Sequence, residues 1–193
     1  MLKIKPSQLD SYRIFKLEIY DKSVEDMLKD IRGEFEPSPA MEFGSQVHKF
    51  LETGKADLDE YELSQLRTFD ELIPKGINEL KFQEEVNGYL FSVVIDRIVG
   101  KEGIEFKTSK QFHGVDFYNN SLQWKIYSML AGFDKFTYHI FTYNDVRPYT
   151  IRYHSPFSFY SYKNMDREIF QWVDEFVDFC KLHNVEKYIT VED

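Results

Sequence analysis

Between residues 80 and 108 the hydropathy pattern has a period of two and is cut twice by turn-forming residues, and no other stretch constrains the fold as strongly. Leu80–Val86 reads as a strand, and Asn87-Gly88 is the strongest two-residue hairpin signal in the chain. Tyr89–Val99 reads as a second strand. After a turn over Gly100–Gly103, Ile104–Thr108 forms a third. Val93, Val94, Ile95, Ile98, Ile104 and Phe106 make this meander strongly apolar, so other elements must cover it.

Helical spacing on both sides supplies the cover. Residues 6–20 read as a helix with Ser7 as N-cap after Pro6, and residues 23–32 as a second one beginning at Ser23. After a loop over Gly33–Pro39, Phe43, Val47, Phe50 and Leu51 stripe a helix over 40–53 that Gly54 ends. A fourth covers 58–73, stopped by Pro74. Leu122, Ile126, Met129 and Leu130 mark a helix over 121–131, and Ile169, Trp172, Val173, Phe176 and Phe179 a long one over 164–182. Phe136–Tyr143 and Val146–His154 read as a hairpin around Asn144-Asp145, and 109–118 as irregular. This order predicts an α/β (α+β) fold with a mixed central β-sheet flanked by helices.

The chain of 193 residues carries 18 Phe and 13 Tyr, enough aromatic surface for one domain over residues 1–193 to bury a real core. Cys180 is the only cysteine, which excludes an intramolecular disulfide, a CxxC redox pair and a four-cysteine iron–sulfur site. Met1–Pro6 lacks the apolar run of a signal peptide, and nothing approaches the ~20 apolar residues of a membrane span, so a cytoplasmic protein without membrane contact is expected. The net charge of −9 argues against a nucleic-acid coat protein. It is compatible with an enzyme whose carboxylates hold cations beside a local basic rim.

Chemistry concentrates on the hairpin. If Gly100-Lys101 form a two-residue turn, Val99 faces Glu102 and Asp96 lies opposite Glu105, with Cβ atoms about 4.5–5.5 Å apart. Lys107 projects from the same face as Glu105, opposite Val94, while Ile104 and Phe106 point the other way into the core. Two carboxylates this close repel unless a cation or proton lies between them. Carboxylates without thiolates suit a hard ion, Mg²⁺ or Mn²⁺. A lysine beside that ion can orient a water and stabilise charge on a phosphoryl group, as metal-assisted phosphodiester hydrolysis requires. A charged, solvated strand face would show the same spacing. The apolar flanks favour a buried site instead.

At this point the sequence resembles a known family. Val94-Ile95-Asp96-Arg97-Ile98 followed by Ile104-Glu105-Phe106-Lys107-Thr108 is similar to the core of the PD-(D/E)xK nucleases, in particular the RecB-type branch. Pro6-Ser7-Gln8-Leu9 with Tyr12, Gly44-Ser45-Gln46-Val47-His48, and Gln123-Trp124-Lys125-Ile126-Tyr127 resemble that branch's flanking helices, in the same order. The match runs from about residue 6 to 132. It implies a restriction-endonuclease-like core and a Mg²⁺- or Mn²⁺-dependent deoxyribonuclease. Exonuclease action on single- or double-stranded DNA ends, in recombination, repair or phage DNA processing, is expected over endonuclease action. Asp96, Glu105 and Lys107 would be catalytic. Asp96, Glu105, the main-chain carbonyl of Phe106 and His48 would hold the metal. Gln123 and Tyr127 would approach the substrate strand or steady the lysine. Glu84 or Glu85 would correspond to an accessory acid, but the register puts Glu85 on the active face several residues from Asp96, so neither is counted in the site. Where many relatives begin an iron–sulfur ligand set, Arg13-Ile14-Phe15-Lys16 has no cysteine, so that cluster is expected to be absent.

Other residues carry two readings. Lys110, Lys125 and Arg97 would contact phosphates or be solvated. Tyr149, Tyr153, Phe157, Phe159, Tyr160 and Tyr162 would stack on bases, though core packing suits them better. His139, within an aromatic strand, reads as structural, and Cys180 as a small core residue. The alternative function is a nuclease-fold module that no longer cuts and binds DNA ends or a protein partner; a homo-oligomer is compatible with either.

Overall fold

The computed structural model describes residues 1–34 and 36–191. The elements run β1 (Leu2–Ile4), α1 (Pro6–Lys16), α2 (Val24–Arg32), α3 (Pro39–Thr53), α4 (Glu60–Asp70), β2 (Ile77–Val86), β3 (Tyr89–Val99), β4 (Glu102–Ser109), α5 (Val115–Asn119), α6 (Leu122–Ala131), β5 (Lys135–Tyr143), β6 (Ile151–Tyr153), β7 (Phe157–Phe159) and α7 (Met165–Leu182). The strands form one mixed sheet of seven in the described residues, in the order β1-β3-β4-β5-β6, with β2 on β3 and β7 on β5. The α/β architecture is the one expected. Among the described residues no helix is long and apolar enough to cross a membrane.

Helices cover both faces of the sheet, and each face has its own core. Leu9 and Tyr12 of α1, Met27 and Ile31 of α2, Ile126 of α6 and Val173 and Phe176 of α7 pack with Phe91, Val93 and Ile95 of β3. Phe43, Val47 and Leu51 of α3 and Leu66 of α4 pack with Ile104 and Phe106 of β4 and Phe141 of β5. α6 is buried almost all round, as a helix between a sheet and further helices must be.

Local signals place most boundaries. Ser23 caps α2 in a reciprocal capping box with Asp26, and Gly33, Gly54 and Gly132 end α2, α3 and α6 in the left-handed conformation. Asn87 and Gly88 both have positive φ, as the tight turn between β2 and β3 demands. Four expectations need correction. Pro6, not a residue after Ser7, opens α1, so Ser7 lies inside the helix and Lys5 stands at the cap. The connection from β5 to β6 runs over 144–150 instead of a two-residue turn, and Asn144 Oδ1 accepts from the Thr150 amide to close it. Short β1 and β7 went unread because three-residue strands carry almost no periodicity. Residues 109–118, read as irregular, contain the start of α5.

Two positions explain how α3 and the hairpin come together. Gly44 has no side chain where α3 crosses the end of β4; a Cβ there would lie 2.6 Å from Thr108 Oγ1. Arg97 is buried, with its guanidinium over the Phe106 ring. It donates to Asn78 Oδ1 and to the carbonyls of Pro74 and Leu51, the last near the C-terminal end of α3. Arg97 therefore clamps helix to sheet, and neither phosphate contact nor solvation describes it. Lys125 is likewise buried and paired with Glu168 at 2.7 Å.

Candidate active site

The turn after β3 has the two-residue form, and Val99 pairs with Glu102 as the spacing predicts. The ladder then runs through Ile98↔Gly103 to Arg97↔Ile104 and stops. Beyond it the strands part. On that edge β3 is joined by β1 near Phe91, and β4 turns fully to β5. Asp96 sits at the fork. Its Oδ2 accepts the Phe106 amide at 2.7 Å, so a side chain replaces the next rung of the ladder. The expected backbone pair Asp96–Glu105 is thus not formed, and Lys107 does not face Val94 across a ladder. The alternation of β3 also changes phase here: Phe91, Val93 and Ile95 face the first core, whereas Arg97 lies over Phe106 and Val99 packs in the second.

An open fork admits side chains from both helical layers. From α3, His48 Nδ1 lies 3.5 Å from Asp96 Oδ1. Glu52, one helical turn on, joins them, and one donor atom from each of His48, Glu52 and Asp96 lies within 4.8 Å of the others. From α6, Gln123 Oε1 accepts from Lys107 Nζ at 2.7 Å, and Gln123 Nε2 donates to Glu105 Oε1 at 2.7 Å and to Tyr127 Oη at 3.0 Å. Lys107 Nζ also donates to Glu105 Oε1 at 2.7 Å. Asp96, Glu105, Lys107, His48, Gln123 and Tyr127 are therefore gathered at one place, Gln123 on the lysine itself. Phe106 contributes its amide to Asp96 and buries its ring in the second core.

Glu52 was not singled out from the sequence. Its signal was present: a carboxylate four residues after His48 shares that histidine's helix face. Glu84 and Glu85 pair with Phe91 and Leu90 in the ladder, far along β3 from Asp96.

The electrostatics describe a strained, cation-seeking group. Burial raises the Glu105 carboxyl to about 7, the Asp96 charge pushes the same way, and Lys107 only partly opposes them. Burial pulls Lys107 down, but Glu105 outweighs it and leaves the ammonium above its ordinary range. Burial also lowers His48, yet the hydrogen bond and charge of Asp96 more than offset this and raise it. Glu52 is raised by burial and by Glu79 and Asp96. Glu105 Oε2 is buried and finds no hydrogen-bond partner among the described residues. An orphaned carboxylate oxygen costs about 1–3 kcal/mol or more, and a cation facing it would remove that cost. The His48, Glu52 and Asp96 donors, a group within 4.8 Å that does not include Glu105, fit a hard divalent ion.

Two hollows flank this centre. A cleft of about 650 Å³ runs past Gly44, His48, Lys49, Glu52, Thr108 and Lys110. A smaller cavity of about 230 Å³ lies on the α1 side of Lys107.

No family model matches the chain, and no curated protein matches it in sequence. Its fold is nevertheless shared with solved structures. It is similar to a candidate exonuclease from Eubacterium rectale at a TM-score of 0.58 and 13% identity, over 99% of this chain and 84% of that one. It is also similar to SSO0001, at a TM-score of 0.51 and 16% identity over 92% of this chain and 76% of that one. What the chain shares with these structures is the α/β fold, a mixed sheet flanked by helices.

Proposed function

We propose that this chain, as one nuclease domain over residues 1–193, is a divalent-metal-dependent deoxyribonuclease acting from DNA ends. The observation that carries the reading is the meeting, at one strand fork, of the donor set His48–Glu52–Asp96 with the bonded trio Glu105–Lys107–Gln123.

His48, Glu52, Asp96 and Glu105 would hold Mg²⁺ or Mn²⁺, which supplies Lewis acidity toward a phosphoryl oxygen and the attacking water. The chain's own groups do the positioning. Gln123 and Glu105 fix the Lys107 ammonium at the mouth of the site, where it can neutralise charge growing on the phosphoryl group. Tyr127 accepts from Gln123 and so holds that amide in register. Lys49 along the larger cleft, and Lys110 on exchanging its exposed partner Asp145 for a phosphate, would offer the contacts a strand needs. Exonuclease action and a role in recombination, repair or phage DNA processing follow the RecB-type motifs.

The test compares linear and circular, single- and double-stranded DNA with Mg²⁺ or Mn²⁺. Wild type should degrade linear DNA, and Lys107→Ala should abolish cleavage with the fold intact. Equal cleavage by both would sink the site assignment. The net charge of −9 favours a second reading, a non-cutting module for a DNA end or protein partner. Calorimetry that detected no Mn²⁺ binding would favour it.

A further inference from the structure

The small cavity beside Lys107 has a composition that phosphate chemistry does not call for. Lys107 and Ser109 stand on one wall and Tyr20, His113, Phe117 and Tyr118 on the others, with Asp10 and Ser121 also among the lining residues. Tyr20 comes from the loop between α1 and α2, His113 from the segment after β4, and the other two from α5. Their rings are mutually arranged: Tyr20 lies 5.6 Å from His113 and 6.1 Å from Phe117, and His113 lies 5.0 Å from Phe117. Tyr20 Oη and His113 Nδ1 are 2.8 Å apart, so the two rings brace each other. Burial holds the His113 imidazole below its ordinary range, which leaves it an uncharged ring at neutral pH.

The cluster is not closed over. Tyr20 is 42% exposed, and beside it Leu17 is 54% and Val115 45% exposed, with Ile19 and Phe112 also open to solvent. Leu17 and Ile19 line a neighbouring hollow that shares His113 and Phe117. Exposed apolar side chains scattered singly need no explanation, but a contiguous group marks a contact surface. This group is continuous with the wall that holds the lysine of the proposed nuclease centre.

We infer that the cavity between Lys107 and the Tyr20–His113–Phe117 cluster receives one unstacked nucleobase of the strand whose phosphate lies at the metal centre. The inference rests on the nuclease reading and deepens it. A nucleobase has apolar faces that stack on aromatic rings and a polar edge that the Ser109 and Tyr20 hydroxyls can meet. At about 230 Å³ the cavity has room for one nucleobase ring system. A strand entering it must leave its duplex, so single-stranded or frayed ends are the substrates this geometry selects.

The experiment separates base capture from cutting. A single-stranded oligonucleotide carrying 2-aminopurine is titrated with protein in EDTA, so that no cleavage occurs. Wild type should quench the fluorophore. Tyr20→Ala should weaken binding roughly tenfold and lose the quench, since stacking one base contributes on the order of 1–3 kcal/mol. Tyr20→Phe, which keeps the ring and drops the hydroxyl, should retain the quench and lose less affinity than Tyr20→Ala. An oligonucleotide abasic at the quenched position should bind wild type as weakly as the intact one binds Tyr20→Ala. Unchanged affinity and quenching in both Tyr20→Ala and Phe117→Leu would overturn the base cavity while Lys107-dependent cleavage stood. Wild type that neither binds nor cuts DNA would overturn both.

Discussion

Glu105 shows how far one residue's surroundings can set its chemistry. Its carboxyl, raised to about 7 mainly by burial, carries a proton at mildly acidic pH in the metal-free site and loses it above neutrality. The unfolded carboxyl titrates near 4.5. Between these values the folded state holds more protons, so metal-free stability falls as pH rises from about 4.5 through 7. A cation reverses that loss, because it binds the deprotonated form. Thermal melts with and without Mn²⁺ should therefore show a metal-induced rise in Tm that is larger at pH 8 than at pH 6. A rise independent of pH would mean that Glu105 does not face the ion. Glu52 supplies a second test at this scale. Glu52→Ala should weaken Mn²⁺ binding by about 10-fold or more while leaving the metal-free melt nearly unchanged, and unaltered calorimetric affinity would remove Glu52 from the ligand set. The spacing of Asp96, Glu105 and Lys107 on a hairpin carries a signal in the sequence, whereas His48 stands out only through the resemblance of its helix to the RecB-type pattern. The fork carries no such signal. Whether a ladder continues past Arg97↔Ile104 depends on the side chain of Asp96 taking the Phe106 amide, a tertiary event with no local signature.

At the scale of elements, the centre depends on how closely α3 approaches β4. Gly44 permits that approach, since a Cβ would lie 2.6 Å from Thr108 Oγ1 but 3.8 Å from Thr108 Cβ. Gly44→Ala should push the helix away, separate His48 and Glu52 from Asp96, and lower metal affinity and cleavage at least about tenfold. Thr108→Ala removes the clashing oxygen and leaves an ordinary contact, so the double variant should recover most of both. Failure of the double variant to recover would show that the glycine serves something other than this crossing. The strand β5 makes a different prediction. His139 is buried in it, 2.6 Å from Tyr153 Oη, with the two rings stacked, as its aromatic setting suggested. Burial lowers its imidazole to about 4. The unfolded chain takes up that proton near 6.5 and the folded one only near 4, so stability should fall as pH drops through this window, by up to about 3 kcal/mol. Denaturant titrations of wild type and His139→Phe should diverge there, the variant losing less; parallel curves would show that His139 does not titrate on unfolding. Long strands and capped helices declared themselves in the sequence. β1, β7 and α5 did not, because their existence is decided by neighbours such as β3 and Tyr138.

For the molecule as a whole, the acidic balance decides how a polyanion can be held. The sequence carries 33 acidic against 24 basic side chains. Many of the cations are already engaged: Arg97 and Lys125 are buried, and Lys16, Lys22 and Lys75 are paired with carboxylates. Those positioned for a strand are few, chiefly Lys107 at the fork and Lys49 and Lys110 along the cleft, and of these Lys107 is itself paired with Glu105 and Lys110 with Asp145. Affinity for DNA must then come from the bound cation, from base stacking and from these few phosphate contacts, without a broad basic surface. Charge composition alone indicated only that a nucleic-acid coat was unsuitable. Which lysines stay free is a property of the packed molecule, since pairing partners such as Glu168 for Lys125 lie far apart in sequence. The salt dependence of binding measures this directly. Each neutralised phosphate of a single strand contributes a slope of about −0.7 to log K against log salt. About three contacts give a slope near −2, to be read from titrations of a single-stranded oligonucleotide over a range of monovalent salt, in EDTA. Lys49→Ala and Lys110→Ala should each flatten it by about 0.7. A slope of about −5 or steeper, unaffected by either substitution, would place the strand on another face and require a basic surface other than this cleft.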